Sequence, residues 1–166
     1  KVASVAAARL QVYFIDNEDY FRRKQMTYDT DGKFFEDNGQ RAVFFARGVL
    51  ETVKKLRWAP DVIHCQGWIT NLIPLYLKKV YKADPIFADS RIVTTLYNDI
   101  SEEKFGASFK DTILFGGISP DDVPLPEDPD GTNLAKLAAM YSDGVIIGDS
   151  AVSSDLVGYC KGLDVP

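Results

Sequence analysis

PDVIHCQGWITNLIPLYLK, residues 60–78, runs from a short apolar strand through His-Cys-Gln-Gly-Trp into an apolar helical pattern. The strand occupies 61–65 and the helix 71–81, with Asn71 as cap. Pro74 then falls in the first helical turn, where its missing N–H costs little. The stretch is a strand-to-helix junction, and the elements on either side decide what kind of sheet it joins.

Upstream, Asn38 caps a helix through 41–58, in which Val43, Phe44, Val49, Leu50, Val53 and Leu56 mostly recur at helical spacing. Lys54, Lys55 and Arg57 suit its C-terminal end. The polar segment before it, 16–40, mixes Asp, Asn and Gly with aromatics and reads as a long ordered loop. Its DTDG invites a calcium reading, but Gly32 comes too early after Asp29 for an EF-hand loop, so a turn is expected. Val2–Val5 and 10–15 read as strands.

Downstream, 90–96 is a continuous β-branched strand of the kind buried on both faces. Residues 98–130 read as irregular, with one short helical turn possible at 119–122. A helix over 132–142, a strand at Gly144–Ile147 and a closing helix over 150–160 complete the chain. This alternation predicts an α/β fold with an open, mainly parallel sheet flanked by helices and right-handed crossovers. Ligands of such sheets bind outside the carboxyl ends of the strands. Three segments qualify on that basis: Asp16-Asn17, His64–Trp68 and Tyr97-Asn98. No Gly-rich phosphate loop follows any of these strands, which removes dinucleotide and Walker-type sites.

Composition narrows the function further. With 166 residues and 46% hydrophobic content the chain forms one domain around a sizeable core. A net charge of -5 and a pI near 4.9 argue against nucleic acid or an anionic membrane as partner. The basic run Arg22-Arg23-Lys24 reads as a solvated face. No apolar run approaches the ~18 residues of a membrane span. Two distant cysteines suit a reducing, cytoplasmic setting. One histidine and two cysteines are too few for a zinc site, and neither a metal nor a cofactor is called for. His64 and Cys65 are adjacent on a strand and point to opposite faces, so they do not pair; Cys65 reads as a buried core thiol.

In register, these pieces resemble the N-terminal half of bacterial glycogen synthases and plant starch synthases. The resemblance rests on Phe21, Arg23, Tyr28, Gly32, Asp37, Asn38 and Arg41 in the long loop and helix start, then on Pro60, Asp61 and His64. It continues through Trp68, Leu72, Pro74, Tyr76 and Leu77, then Thr95 and Asn98, and finally Asn133, Lys136 and Asp143, with Asp155 where the family carries a Glu. It implies transfer of glucose from ADP-glucose to an α-1,4-glucan with retention. It also implies one Rossmann-like half of the two-domain GT-B arrangement, without metal. On this reading 1–166 is a single Rossmann-like domain, begins in mid-fold at Lys1, and lacks the second half and the Lys-x-Gly-Gly loop that help neutralise the leaving diphosphate.

Three departures from the pattern fall at strand ends. Gln66 stands at the family's sugar-contacting histidine, Gly67 at its aspartate, and Tyr97 at a second histidine. The implied sugar-contacting set is Gln66, Trp68, Asn98 and His64, with no catalytic residue assigned. Each has a plainer alternative. His64 reads as a core histidine bonded to a backbone carbonyl, Trp68 as a lid on the core, Asn98 as a loop cap. Asn133 reads as an N-cap for its helix and Lys136 as a surface lysine. The functional expectation is a glycosyltransferase domain that is not competent by itself. The alternatives are a non-catalytic module that binds α-glucan or nucleotide-sugar, and a structural domain that self-associates or docks a missing second domain.

Overall fold

The computed structural model describes residues 1–166. Two separate sheets are present. Val2–Val5 (β1) and Leu10–Tyr13 (β2) pair antiparallel, Val2 opposite Tyr13 and Val5 opposite Leu10. The expectation that residues 10–15 lead the parallel sheet is therefore corrected. Only four residues separate the two strands, and Arg9 turns the chain at φ 51°. So short a link closes a hairpin, whereas a parallel pair needs a crossover of a dozen residues or more. Asp16-Asn17 consequently leads away from the parallel sheet, and Asn17 caps the short helix Glu18–Phe21 (α1), accepting from the Tyr20 N–H at 3.0 Å.

The long loop is tied down by one buried cation. Arg41, 1% exposed, donates to the Tyr20 and Met26 carbonyls at 2.9 and 2.6 Å and to the Asn38 side chain, with Phe21 and Phe35 rings beside its guanidinium. Arg23 reaches Asp37 and adds a second anchor. The Asp29 carboxylate accepts from the Asp31 and Lys33 N–H groups, and Gly32 sits at φ 78°, so DTDG is a turn. Asn38 proves to be the first residue of the helix Asn38–Leu56 (α2), not its cap. Its amide is spent inside, donating to the Thr27 carbonyl.

The second sheet is parallel and sequential: Val62–Gln66 (β3), Arg91–Leu96 (β4) and Gly144–Ile147 (β5), in the order β3-β4-β5. A 3₁₀ turn, Trp68–Thr70, leads into Ile73–Lys79 (α3), with Pro74 in the first turn. The segment 98–130, expected to be irregular, contains Phe109–Ile113 (α4) and a 3₁₀ turn at Pro120–Asp122 capped by Ser119. Gly131–Met140 (α5) is capped by Asp130, and Asn133, read from sequence as the cap, instead completes the capping box from the third position. Ser154–Lys161 (α6) packs on α5.

Helices cover one face of this sheet. α3 and α5 touch each other, as two crossovers of the same hand to successive strands require, and α2 with α4 packs beyond α3. Beneath them lie Cys65, Ile92, Thr94 and Leu96. The opposite face is open: Val62 is 57% and Ile146 47% exposed, and Arg91, His64 and Gln66 are exposed beside them. β4 is thus not buried on both faces, although Thr95 on its open side is 5% exposed. No helix is long and apolar enough to cross a membrane.

Candidate functional site at the strand ends

The carboxyl ends of the parallel strands present Gln66-Gly67-Trp68, Tyr97-Asn98-Asp99 and Gly148-Asp149-Ser150, three segments without a cation. Gly67 makes the corner. Its φ of 80° and ψ of 153° lie in a region open essentially to glycine alone. Glycine at position 67 is therefore a backbone requirement of the corner as it is built here. The Asp99 carboxylate receives the next N–H, that of Trp68, at 2.9 Å.

On the covered side, Trp68 is 5% exposed; its indole N–H donates to Thr27 at 3.2 Å and its ring packs against Phe34 and Phe105. These surroundings match the reading of Trp68 as a lid on the core. Cys65 lies on the same side, and burial pushes its thiol up to about 12, so it carries no thiolate at neutral pH.

On the open side a chain of polar groups crosses two strands. Tyr97 donates from its hydroxyl to the Gln66 carbonyl oxygen at 3.1 Å. The Gln66 side-chain amide is hydrogen-bonded to His64 Nδ1 at 3.3 Å, and His64 Nε2 is hydrogen-bonded to Thr95 Oγ1 at 2.7 Å. His64 is thus an exposed member of a side-chain network, not the core histidine on a backbone carbonyl that its strand position implied. Asn98 is exposed and accepts from the Ser101 hydroxyl at 2.8 Å.

The structure therefore brings His64 and Gln66 together, sets Trp68 behind them in the core, and leaves Asn98 on the adjoining loop. It adds Thr95, which no sequence argument selected as a site residue, and ties in Tyr97, which the sequence placed at a strand end but outside the sugar-contacting set. The tyrosine ring lies so close to Gly148 that a Cβ there would stand 2.8 Å from it. The available signal was periodicity: Thr95 pairs with Gln66 in the ladder and so shares its face, which extends to Tyr97 two residues later. Gln66 and Tyr97, both at strand ends, are bonded to each other. No group of three or more His, Cys, Asp or Glu side chains is placed to hold a metal ion.

This geometry can offer hydrogen bonds to a hydroxylated ligand. Gln66 keeps one N–H and one oxygen lone pair after serving its neighbours, but an amide neither carries charge nor exchanges a proton at neutral pH.

A family model described as the starch synthase catalytic domain matches residues 1–158. The glycogen synthase of Chlorobium limicola is 32% identical over 161 residues, covering 95% of this chain and 32% of that protein. That of Clostridium perfringens is 34% identical over 135 residues, covering 81% of the chain and 27% of the relative. Among solved structures, the catalytic domain of starch synthase IV from Arabidopsis thaliana, bound to ADP and acarbose, superposes with a TM-score of 0.54. At 23% identity over 69% of this chain and 24% of that one, this likeness speaks for the fold. The chain spans about a third of the length of the relatives it matches.

Proposed function

Because the chain belongs to the starch synthase catalytic-domain family, we propose that it serves as the part of a glycogen or starch synthase-type glycosyltransferase that holds sugar at the mouth of its parallel sheet, and that residues 1–166 do not transfer glucose by themselves. The contacting groups are Gln66, His64 and Asn98. Gly67 makes the corner that presents them, and Trp68 packs behind it.

The observation that carries this reading is the chemistry of the strand ends. Glucosyl transfer from ADP-glucose builds negative charge on the departing diphosphate, and aimed cations or donors must meet it. The glucose ring also needs hydrogen bonds that strengthen as it gains oxocarbenium character. At this mouth the uncharged Gln66 amide replaces the histidine, and Asp99 and Asp149 are the ionisable carboxylates nearby in sequence. The mouth suits a neutral sugar hydroxyl far better than a diphosphate. Removing a single positioned donor costs ~100- to 1000-fold in rate, and the three strand-end segments present no cation for the diphosphate. The ligand on this reading is an α-glucan or the glucose of ADP-glucose, and the free thiols Cys65 and Cys160 suit a reducing, cytoplasmic setting.

The test is an assay of glucose transfer from ADP-glucose to glycogen with this chain. Incorporation should not rise above the blank, and it should stay there in a Gln66→His variant, since the diphosphate would still lack its cations. Steady incorporation by the unaltered chain would end the reading of incompetence.

One observation favours a second reading, a docking domain. The open sheet face carries Val62 and Ile146, with Trp58 at 61% exposure close by in sequence. A concentration-dependent sedimentation coefficient would support self-association there, and a monomer at all concentrations would remove it.

A further inference from the structure

The three parallel strands end side by side, and one side chain reaches across all three ends. Tyr97 follows β4, the middle strand, and touches both neighbours. Its hydroxyl donates to Gln66 Oε1 at 3.1 Å, at the end of β3. Its ring lies over Gly148, just past the end of β5, where a Cβ would stand 2.8 and 3.1 Å from the ring atoms Cε1 and Cζ. A Cβ there would also come within 2.5 Å of the Thr95 methyl carbon, so only glycine leaves the ring room to lie down.

This arrangement accounts for Thr95, which is 5% exposed on a face that no helix covers. Its hydroxyl is bonded to His64 Nε2, and its methyl group and the Tyr97 ring converge on one point above Gly148. Ligands of an open parallel sheet bind at this end of the strands. Tyr97 therefore fills the space between Gln66 and Gly148 from within the chain. Its phenol meets the Gln66 oxygen as an O–H donor, which is how a ligand hydroxyl would meet it. That bond defines the chemistry of whatever displaces the tyrosine: a group that offers a neutral hydroxyl.

We infer that Tyr97 is a bar across the strand-end mouth, tethered to Gln66 and seated on Gly148, which swings away before a hydroxylated ligand can bridge the two. The open state is then the minor one, and apparent affinity falls by the fraction of chains in which the bar is open. One net hydrogen bond held against solvent sets that fraction at about one in three to one in ten. That the displacing ligand is a sugar rests on the strand-end reading above. The bar itself does not.

The test compares the full chain with its Tyr97→Phe and Gly148→Ala variants by NMR, first without ligand. Tyr97→Phe cuts the tether and keeps the ring. Gly148→Ala keeps the phenol and removes its seat, at a position whose φ lies outside the left-handed region. In both variants the Gln66 side-chain amide should shift in the same direction, toward a solvated amide, and in Gly148→Ala the Tyr97 ring signals should move with it. Maltoheptaose is then titrated into all three proteins. Both variants should bind it at Gln66 about 3- to 10-fold more tightly than the unaltered chain. A Gln66 amide unmoved in the ligand-free spectra would overturn the inference. Binding that is unchanged or weaker in the variants would also overturn it, and would make Tyr97 a contact residue instead. Absence of maltoheptaose binding in all three, with the ligand-free shifts present, would remove the sugar reading and leave the bar standing.

Discussion

Neighbouring residues on β3 meet very different surroundings. Cys65 is 1% exposed beneath the helices, whereas His64 and Gln66 stand on a face that nothing in these residues covers. On the covered face each position is packed from several sides, and the apolar pattern is what makes the strand a strand. On the open face the side chains bond mainly to one another, so replacing one costs little as long as its neighbour changes with it. The Gln66–Tyr97 contact is an instance, in which the two side chains satisfy each other. A scaffold can therefore keep its fold while its strand ends change chemistry.

The difference between the faces can be broken by substitution. Leu96→Ala, at 2% exposure, should cost about 2–5 kcal/mol by urea denaturation, the range for a large-to-small change in a core. Ile146→Ser on the open face should stay within about 0.5 kcal/mol, as surface changes do. Similar costs at the two positions would mean that the open face is packed after all. Gly67→Ala comes next, about 1–3 kcal/mol, because it forces a side chain into a glycine-only backbone region; the nearest atom to the new Cβ is Asp99 Oδ2 at 4.0 Å, so crowding is not the cause.

Tyr97→Phe removes one exposed hydrogen bond and should cost at most about 1 kcal/mol. Its larger sign is local, a change in the Gln66 side-chain amide resonances. A spectrum unchanged at Gln66 would show that the two residues do not interact in solution. Cysteine chemistry sharpens the same contrast. Burial raises both thiols, Cys65 to about 12, but Cys160 is only half-buried. Cys160 should react with a disulfide reagent in the native chain, and Cys65 only on unfolding.

The smallest effect concerns pH. The Lys79 ammonium, together with the Ser119 backbone N–H, holds the Asp122 carboxyl down to about 2. A group depressed in the folded state contributes fully above its unfolded value and loses that contribution as pH falls toward the folded one. Stability should therefore decline between about pH 4 and pH 2, and Asp122→Asn should flatten part of that decline.

Much of the fold was legible because its signals are local. The 3.6-residue pattern of α2, Pro74 in the first turn of α3 and the β-branched run of β4 all report on a few consecutive residues. What escaped depended on distant partners. Asn38 looks like a cap, yet Arg41 and the Thr27 carbonyl claim its side chain from inside. Residues 10–15 look like a sheet-leading strand, yet the short link to β1 turns them into a hairpin. At the site, the residues at the corner could be named, but the Tyr97–Gln66–His64–Thr95 chain arises from ladder register between strands about thirty residues apart.

The most direct measurement of the central claim is the Gln66 side-chain amide signal of the chain titrated with maltoheptaose. The account predicts a saturable shift at millimolar sugar, shared by Tyr97 and absent when Gln66 is replaced by Ala. A signal that does not move up to saturating sugar would contradict it.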